Sequence, residues 1–217
     1  MLPYVLELQN VNKSFSKQKL VLRNFNLQIE KGEMVCLFAP NGAGKTTILL
    51  MCIGLETFDS GEILLEGKHL SQMSAAEKGL LRNQKIGVVF QKTQLISYLT
   101  VFDNIMLPFY IRGTPAKEAR KQVEEVLTHV GIKHMASKKP FQLSGGEQQL
   151  VGVARAIVYQ PTILLVDEPT TYLDQENKQL VWSMLESLHS SGKTIIVASH
   201  DQEIRNKCRC ITWNLQN

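Results

Sequence analysis

The sequence predicts an α/β fold with a parallel sheet, a small antiparallel β layer at the start and a helical segment in the middle. Alternating apolar and polar residues at 4–11 and 20–29 indicate half-buried antiparallel strands. Continuous apolar runs at 33–38, 162–166 and 194–198 indicate strands that are covered on both faces. Helical patterns follow these runs, and such alternation is typical of a parallel sheet.

The remaining elements follow from the same patterns. Two further strands are predicted at 61–66 and 86–90. Residues 101–131 have helical periodicity, with charged residues on one face and apolar residues on the other. The other helical patterns are at 44–54, from Ser144 onward, and at 174–190. We therefore expect a single domain, residues 1–217, with a helical subdomain at about 92–160 inserted in the α/β core.

Length and composition restrict the class of protein. The chain has 217 residues, of which 44% are hydrophobic and 20% charged, as in ordinary globular domains. The apolar runs are far shorter than the roughly 18 residues of a membrane-spanning helix. The N-terminus lacks the pattern of a secretory signal, and we expect the chain to remain in the cytoplasm.

Charge and cysteine usage point away from two other classes. The 24 basic and 20 acidic residues are interspersed, without the basic block that is typical of a nucleic-acid-binding surface. We therefore expect no nucleic-acid partner. The four cysteines lack the paired spacing of zinc or redox motifs, which predicts neither a metal nor a disulfide role.

Residues 39–47, APNGAGKTT, carry the strongest chemical signal. They match the phosphate-binding pattern G-x-x-x-x-G-K-[ST] except at the first glycine. Glycines let the backbone N–H groups and the following helix N-terminus face a phosphate; Lys45 reaches the β- and γ-phosphates and Thr46 ligates Mg²⁺. A buried strand before and a helix after disfavour the alternative, an accidental glycine-rich turn. The predicted nucleotide-binding residues are Asn41, Gly42, Ala43, Gly44, Lys45, Thr46 and Thr47.

Ala39 stands in place of the first glycine of the pattern. Its methyl group is harmless if φ at this position is negative and strained if φ is positive.

Two acids end the apolar run 163–166. The carboxyl ends of parallel strands form the ligand crevice of an α/β sheet. Asp167 and Glu168 are therefore predicted to lie beside a bound nucleotide. Asp167 is predicted to hold Mg²⁺ through water, and Glu168 to orient or deprotonate the attacking water. The alternative is a surface turn.

The order of three motifs then identifies a family. LSGGEQQ at 143–149 lies between the phosphate loop and VDEPT at 166–170, and a lone His200 follows the last buried strand. With this order, the chain resembles the ATP-binding cassette (ABC) family from about residue 6 to 201. The resemblance implies a P-loop NTPase core with a parallel sheet, an N-terminal antiparallel β subdomain and an inserted helical subdomain.

Residues 143–149, called the signature segment below, imply a dimer through this resemblance. Ser144, Gly145 and Gly146 open a helix, and their N–H and hydroxyl groups suit a phosphate. In ABC proteins this segment caps the nucleotide held by the other subunit, and Asp174 matches a residue that communicates across the homodimer. Leu150 and Tyr172 depart from the family pattern there, which puts details of the interface in question.

The resemblance also implies three further site residues. Phe15 falls where an aromatic ring stacks on adenine, although a Phe in a strand-rich region is more often part of the core. Gln91 corresponds to a glutamine that contacts Mg²⁺ or the attacking water, the alternative being a polar loop residue. His200 would contact the γ-phosphate, the alternative being a structural histidine.

We therefore expect an ATP-hydrolysing subunit that powers a separate membrane permease and lies on the inner face of the membrane through it. The runs 81–91 and 95–113 resemble those of lipoprotein-releasing, macrolide-export and peptide-export subunits. Apolar Val101, Phe102, Ile105, Met106 and Leu107 are predicted to contribute to the permease-binding surface. The alternatives are a regulatory ATPase that acts on a membrane protein without transport, and a soluble ABC protein acting on ribosomes or DNA.

Overall fold

Two β-sheets and seven α-helices form the part of the chain that the computed structural model describes, residues 4–16, 19–171 and 173–213. Strands and helices are numbered in chain order. The antiparallel strands are β1 (Tyr4–Ser16), β2 (Lys19–Glu30), β4 (Ser60–Leu65) and β5 (Lys68–His69), in the order β2-β1-β4-β5. The parallel strands are β3 (Met34–Phe38), β6 (Ile86–Val89), β7 (Ile163–Asp167), β8 (Thr194–Ser199) and β9 (Arg209–Thr212), in the order β6-β7-β8-β3-β9.

The helices differ widely in length. They are α1 (Lys45–Cys52), α2 (Ala75–Lys85), α3 (Val101–Arg112), α4 (Ala116–His129), α5 (Gly145–Ile157), α6 (Gln175–Ser190) and α7 (Gln202–Arg205). Within the described ranges, none is long and apolar enough to cross a membrane.

The parallel sheet separates two hydrophobic cores. Successive side chains of a strand point to opposite faces, so a strand covered on both sides must be apolar throughout. Cys36 of β3 lies in a cluster with residues of α3, α4, α5 and α6. Its neighbours Val35 and Leu37 lie in a second cluster with α1 and the antiparallel sheet. This double burial explains the continuous apolar runs in the sequence.

The strand register brings four chain segments to one edge of the sheet. Phe38 pairs with Ser199, Asp167 with Ala198, and Val89 with Val166. Because these strands are parallel, their carboxyl ends lie side by side. The loop after β3, the acids at the end of β7 and the residues following β6 and β8 therefore meet at this edge.

The predicted α/β class with a separate antiparallel layer is confirmed. The helical stretch 101–131, however, is two helices, because Gly113 ends α3 in the left-handed region (φ +67°) and Pro115 precedes α4. Four short or polar elements were not predicted: α2, α7, β5 and β9.

Candidate functional site

The phosphate loop, residues 39–44, joins β3 to α1. Gly42 and Gly44 have φ values of +81° and +90°, which L-residues with side chains rarely adopt. A Cβ atom on Gly44 would lie 2.3 Å from Cγ1 of Val21. Glycine is therefore required at Gly44 both by the backbone and by the packing of β2.

Ala39 is not among the described residues with positive φ, and it is buried at 2% exposure. The methyl group that replaces the expected glycine is thus accommodated without left-handed strain.

Lys45 closes over the loop. Its Nζ donates to the carbonyl oxygens of Ala39 (2.7 Å) and Pro40 (3.2 Å) and lies 3.0 Å from Oε1 of Glu168. The side chain is only 5% exposed. A buried ammonium group is costly unless it is paired, and these three oxygens supply the pairing.

Thr46, in the first turn of α1, contacts Asp167 at the end of β7. The Thr46 hydroxyl donates to Oδ2 of Asp167 at 2.7 Å. Burial raises the pKa of Asp167 above its ordinary value, and the charge of Glu168 adds to this, whereas the Thr46 hydrogen bond and Lys45 oppose it. Oδ1 of Asp167 is buried and has no hydrogen-bond partner among the described residues.

These donors fit a magnesium ion. Mg²⁺ prefers hard oxygen ligands, carboxylates and hydroxyls among them. The orphaned Oδ1 of Asp167 beside the Thr46 hydroxyl offers such a pair at the mouth of the phosphate loop.

Glu168 lies where the strand ends converge. Both of its carboxylate oxygens are 2.9 Å from Nδ1 of His200, and Oε2 accepts a hydrogen bond from the Thr171 hydroxyl at 3.1 Å. Its backbone has φ +44°, a left-handed conformation that costs a non-glycine residue about 1–3 kcal/mol. Such strain is typical of functional sites, and here it accompanies a 7% exposed carboxylate that lines a cavity.

That cavity, of about 430 Å³, contains most of the predicted nucleotide site. Phe15 is 52% exposed and lies at its wall, so the alternative of a core phenylalanine is wrong. Gln91, which follows β6, reaches the same cavity. The other lining residues are Val21, Asn41, Gly42, Gly44, Lys45, Thr46, Thr47, Glu168 and Thr171.

His200 is 42% exposed, and its ring contacts the Glu168 carboxylate. This exposed position beside the cavity differs from that of a buried structural histidine.

The signature segment lies outside this cavity. Ser144 caps α5, and its hydroxyl accepts from the Glu147 N–H at 3.2 Å. Gly146 packs so closely on α6 that a Cβ atom would lie 2.2 Å from Cγ of Asn177. Among the described residues that line the cavity, neither Ser144 nor Gly146 is found.

Asp174 caps α6. Its carboxylate accepts from the backbone N–H (2.8 Å) and the side-chain amide (2.9 Å) of Asn177, which lowers the pKa of Asp174. Gly145 lines a second cavity of about 460 Å³, which also includes Gln91 and Glu168. Tyr172 lies outside the described residues.

Sequence reasoning missed two residues near the site, Thr171 and Lys13. Thr171 contacts Glu168 and lines the cavity. Lys13 places its ammonium 4.8 Å from the centre of the Phe15 ring and pairs with Glu56 at 2.8 Å. The two-residue spacing of Lys13 and Phe15 on one strand was the available signal. Leu150, which departs from the family pattern, is an apolar core residue at 3% exposure.

Comparison with known proteins agrees with this geometry. The family model described as ABC transporter matches residues 22–171. The lipoprotein-releasing system ATP-binding protein LolD of Bacteroides fragilis is 40% identical over 92% of this chain and 93% of its own length. The corresponding protein of Bacteroides thetaiotaomicron is 39% identical over 91% of each.

A solved structure extends the similarity to the fold. A dimeric ATP-binding cassette in a post-hydrolysis state, bound to ADP and Pi, matches with a TM-score of 0.87, at 33% identity over 96% of this chain and 94% of that one. The predicted family, fold and activity are confirmed. The chain belongs to the ABC transporter family, as an ATP-binding subunit that hydrolyses ATP to power a membrane permease.

Proposed function

We propose that the cavity beside the phosphate loop holds Mg²⁺–ATP, and that Glu168 is the base that activates water. The observation that carries this proposal is the position of the Glu168 carboxylate, which contacts both Lys45 and His200 and faces the cavity. Phe15 stacks on adenine, and the N–H groups of residues 41–47 surround the phosphates.

Thr46, Asp167 and Gln91 would hold Mg²⁺, Asp167 through water. When bound, the ion neutralises charge on the β- and γ-phosphates.

The chain's own residues carry the hydrolysis. Lys45 exchanges its loop carbonyls and Glu168 for the β- and γ-phosphates, which frees Glu168 to accept a hydrogen bond from water. Water attacks the γ-phosphorus, the bond to the bridging oxygen breaks, Glu168 takes the proton and ADP leaves. His200, held beside Glu168, contacts the γ-phosphate.

A second copy of the chain completes each site. Ser144, Gly145 and Gly146 cap the γ-phosphate held by the partner, and Asp174 lies at the same interface. Two observations support this arrangement: Ser144 and Gly145 are exposed, and solved relatives are dimeric. A symmetric dimer then encloses two ATP molecules.

We assign residues of about 92–160 to a helical subdomain that binds the permease beside the second cavity. The apolar residues first expected on this surface are largely buried, since Val101, Ile105 and Met106 are at most 2% exposed. The exposed apolar side chains near the cavity are instead Tyr98 (72%) and Phe141 (74%). By analogy with LolD, the permease is of the lipoprotein-releasing or export type, and it holds the subunit at the inner face of the membrane.

The test of the hydrolytic role is the turnover of Glu168→Gln. The amide keeps the size of the side chain but cannot accept the proton, so phosphate release should fall about 10²–10⁴-fold while ATP still binds. Glu125→Gln, on the exposed face of α4, is the control and should hydrolyse like wild type. Wild-type turnover of Glu168→Gln would remove Glu168 from the reaction.

A further inference from the structure

One face of α5 contacts the loop that follows β6. Gln149, Gly152 and Arg155 are spaced three residues apart, which places them along one side of a helix. The side-chain amide of Gln149, 4% exposed, donates to the carbonyl oxygen of Phe90 at 3.4 Å. Phe90 immediately precedes Gln91, so this bond holds the backbone beside a site residue.

The middle contact is one of packing. A Cβ atom on Gly152 would lie 2.9 Å from Cγ2 of Thr93, closer than real Cβ contacts come. The absence of a side chain at Gly152 therefore lets Thr93 lie directly on the helix.

The third contact is a charged one. The Arg155 guanidinium donates to the carbonyl oxygens of Thr93 (2.5 Å) and Gln94 (3.2 Å). Burial lowers the pKa of Arg155, and the planar guanidinium suits two adjacent acceptors. Gln94 itself is left-handed, at φ +45°, so Arg155 holds the loop at a residue with a strained backbone.

The helix that makes these contacts begins at the signature segment. α5 has 13 residues, and Ser144 is its N-cap. A helix of this length is a rigid rod of about 20 Å. We propose that Gln149, Gly152 and Arg155 are positioning residues that fix the Gln91 loop to α5, so that Gln91 and the signature segment move as one body. This inference rests on the proposed function, because it assigns Gln91 a role in hydrolysis.

The decisive variant is Gly152→Ala, which pushes Thr93 and its loop away from α5. We expect kcat for ATP to fall about tenfold to a hundredfold, while KM and ATP affinity remain within about twofold, since the phosphate loop is untouched. Thr93→Ser removes Cγ2, so the double variant Gly152→Ala, Thr93→Ser should recover most of kcat. Gly79→Ala is the matched control, because a Cβ there would lie 3.7 Å from the Arg82 guanidinium, an ordinary van der Waals contact.

A wild-type kcat in Gly152→Ala, or a loss of ATP affinity in proportion to kcat, would overturn the inference. So would a lack of recovery in the double variant. If Gly152→Ala does not fold, Arg155→Lys decides by the same split between kcat and KM. Failure of both to fold would make these residues structural and overturn the proposal. Gln91→Ala is measured in parallel. Wild-type turnover in Gln91→Ala would refute the proposed role of Gln91 itself. Reduced turnover in Gln91→Ala together with wild-type turnover in Gly152→Ala would refute only the inference.

Discussion

The phosphate loop and the signature segment each lie at a helix N-terminus, but the two helices differ in how their first N–H groups are capped. α1 follows Gly44, has no side-chain cap within the described structure and has no acid in its first turn. α5 is capped by Ser144, and the Glu147 carboxylate accepts from the Ser144 N–H at 2.6 Å. A free N-terminus attracts an anion, whereas a capped one with a carboxylate beside it is already satisfied.

This difference supports separate tasks for the two helices in the proposed function. There, α1, with Lys45 beside it, would provide the affinity for the triphosphate. α5 would add a weaker contact, from the partner subunit, that matters only when the γ-phosphate is present. An affinity held by one subunit and a closing contact supplied by the other would make dimerisation depend on ATP.

The largest effect is expected at Lys45. In Lys45→Ala the affinity for ATP should fall about a hundredfold or more, because the backbone N–H groups cannot replace a charge at the β- and γ-phosphates. Equilibrium titration measures the loss, with Lys121→Ala, 80% exposed on α4, as the control. An affinity close to wild type would mean that the phosphate site is misplaced.

Substitutions at two glycines of the phosphate loop should distinguish the cost of a packing clash from the cost of backbone strain. Gly44→Ala combines positive φ with a clash on Val21, and it should lower the free energy of unfolding by about 2–4 kcal/mol. Gly42→Ala has positive φ but open space around its Cβ, and about 1 kcal/mol is expected. Denaturant unfolding measures both, and equal losses would contradict the packing of β2 against the loop.

The smallest effect compares two caps of the same design. Ser74 and Ser144 each form a capping box with a glutamate three residues on. Replacement of either serine by alanine should cost about 1 kcal/mol of stability. Only Ser144→Ala should also weaken the ATP-dependent dimer, because only Ser144 is proposed to face the partner's nucleotide. Sedimentation with and without ATP distinguishes the two variants, and identical behaviour would remove Ser144 from the interface.

The sequence predicts the phosphate site well because its parts are local. The loop and Lys45 lie in one continuous segment, and the acids follow a strand whose double burial is visible as an apolar run. The edge strand β9 was missed because its two partly buried central residues leave a weak pattern. The burial of Val101, Ile105 and Met106 was missed because helical periodicity marks an apolar face without saying which neighbour covers it.

Contacts between distant residues account for the rest. Arg155 meets Thr93 across 62 positions, and Lys45 meets Glu168 only because β3 and β7 end at the same edge of the sheet. No periodicity or spacing within the chain encodes such partners. Whether Ala39 is strained likewise depends on its backbone angle φ, which the amino-acid sequence alone leaves open.

The most direct test of the division between the two helices is the mass of Glu168→Gln in solution. Light scattering should give a monomer without nucleotide and with ADP, and a dimer with Mg²⁺–ATP, because the variant retains the γ-phosphate that the partner's Ser144 and Gly146 are proposed to enclose. The dimer should weaken when Ser144→Ala is added, while ATP affinity stays within about threefold of wild type. A variant that binds ATP tightly and remains monomeric, or one that dimerises equally with ADP, would contradict this arrangement.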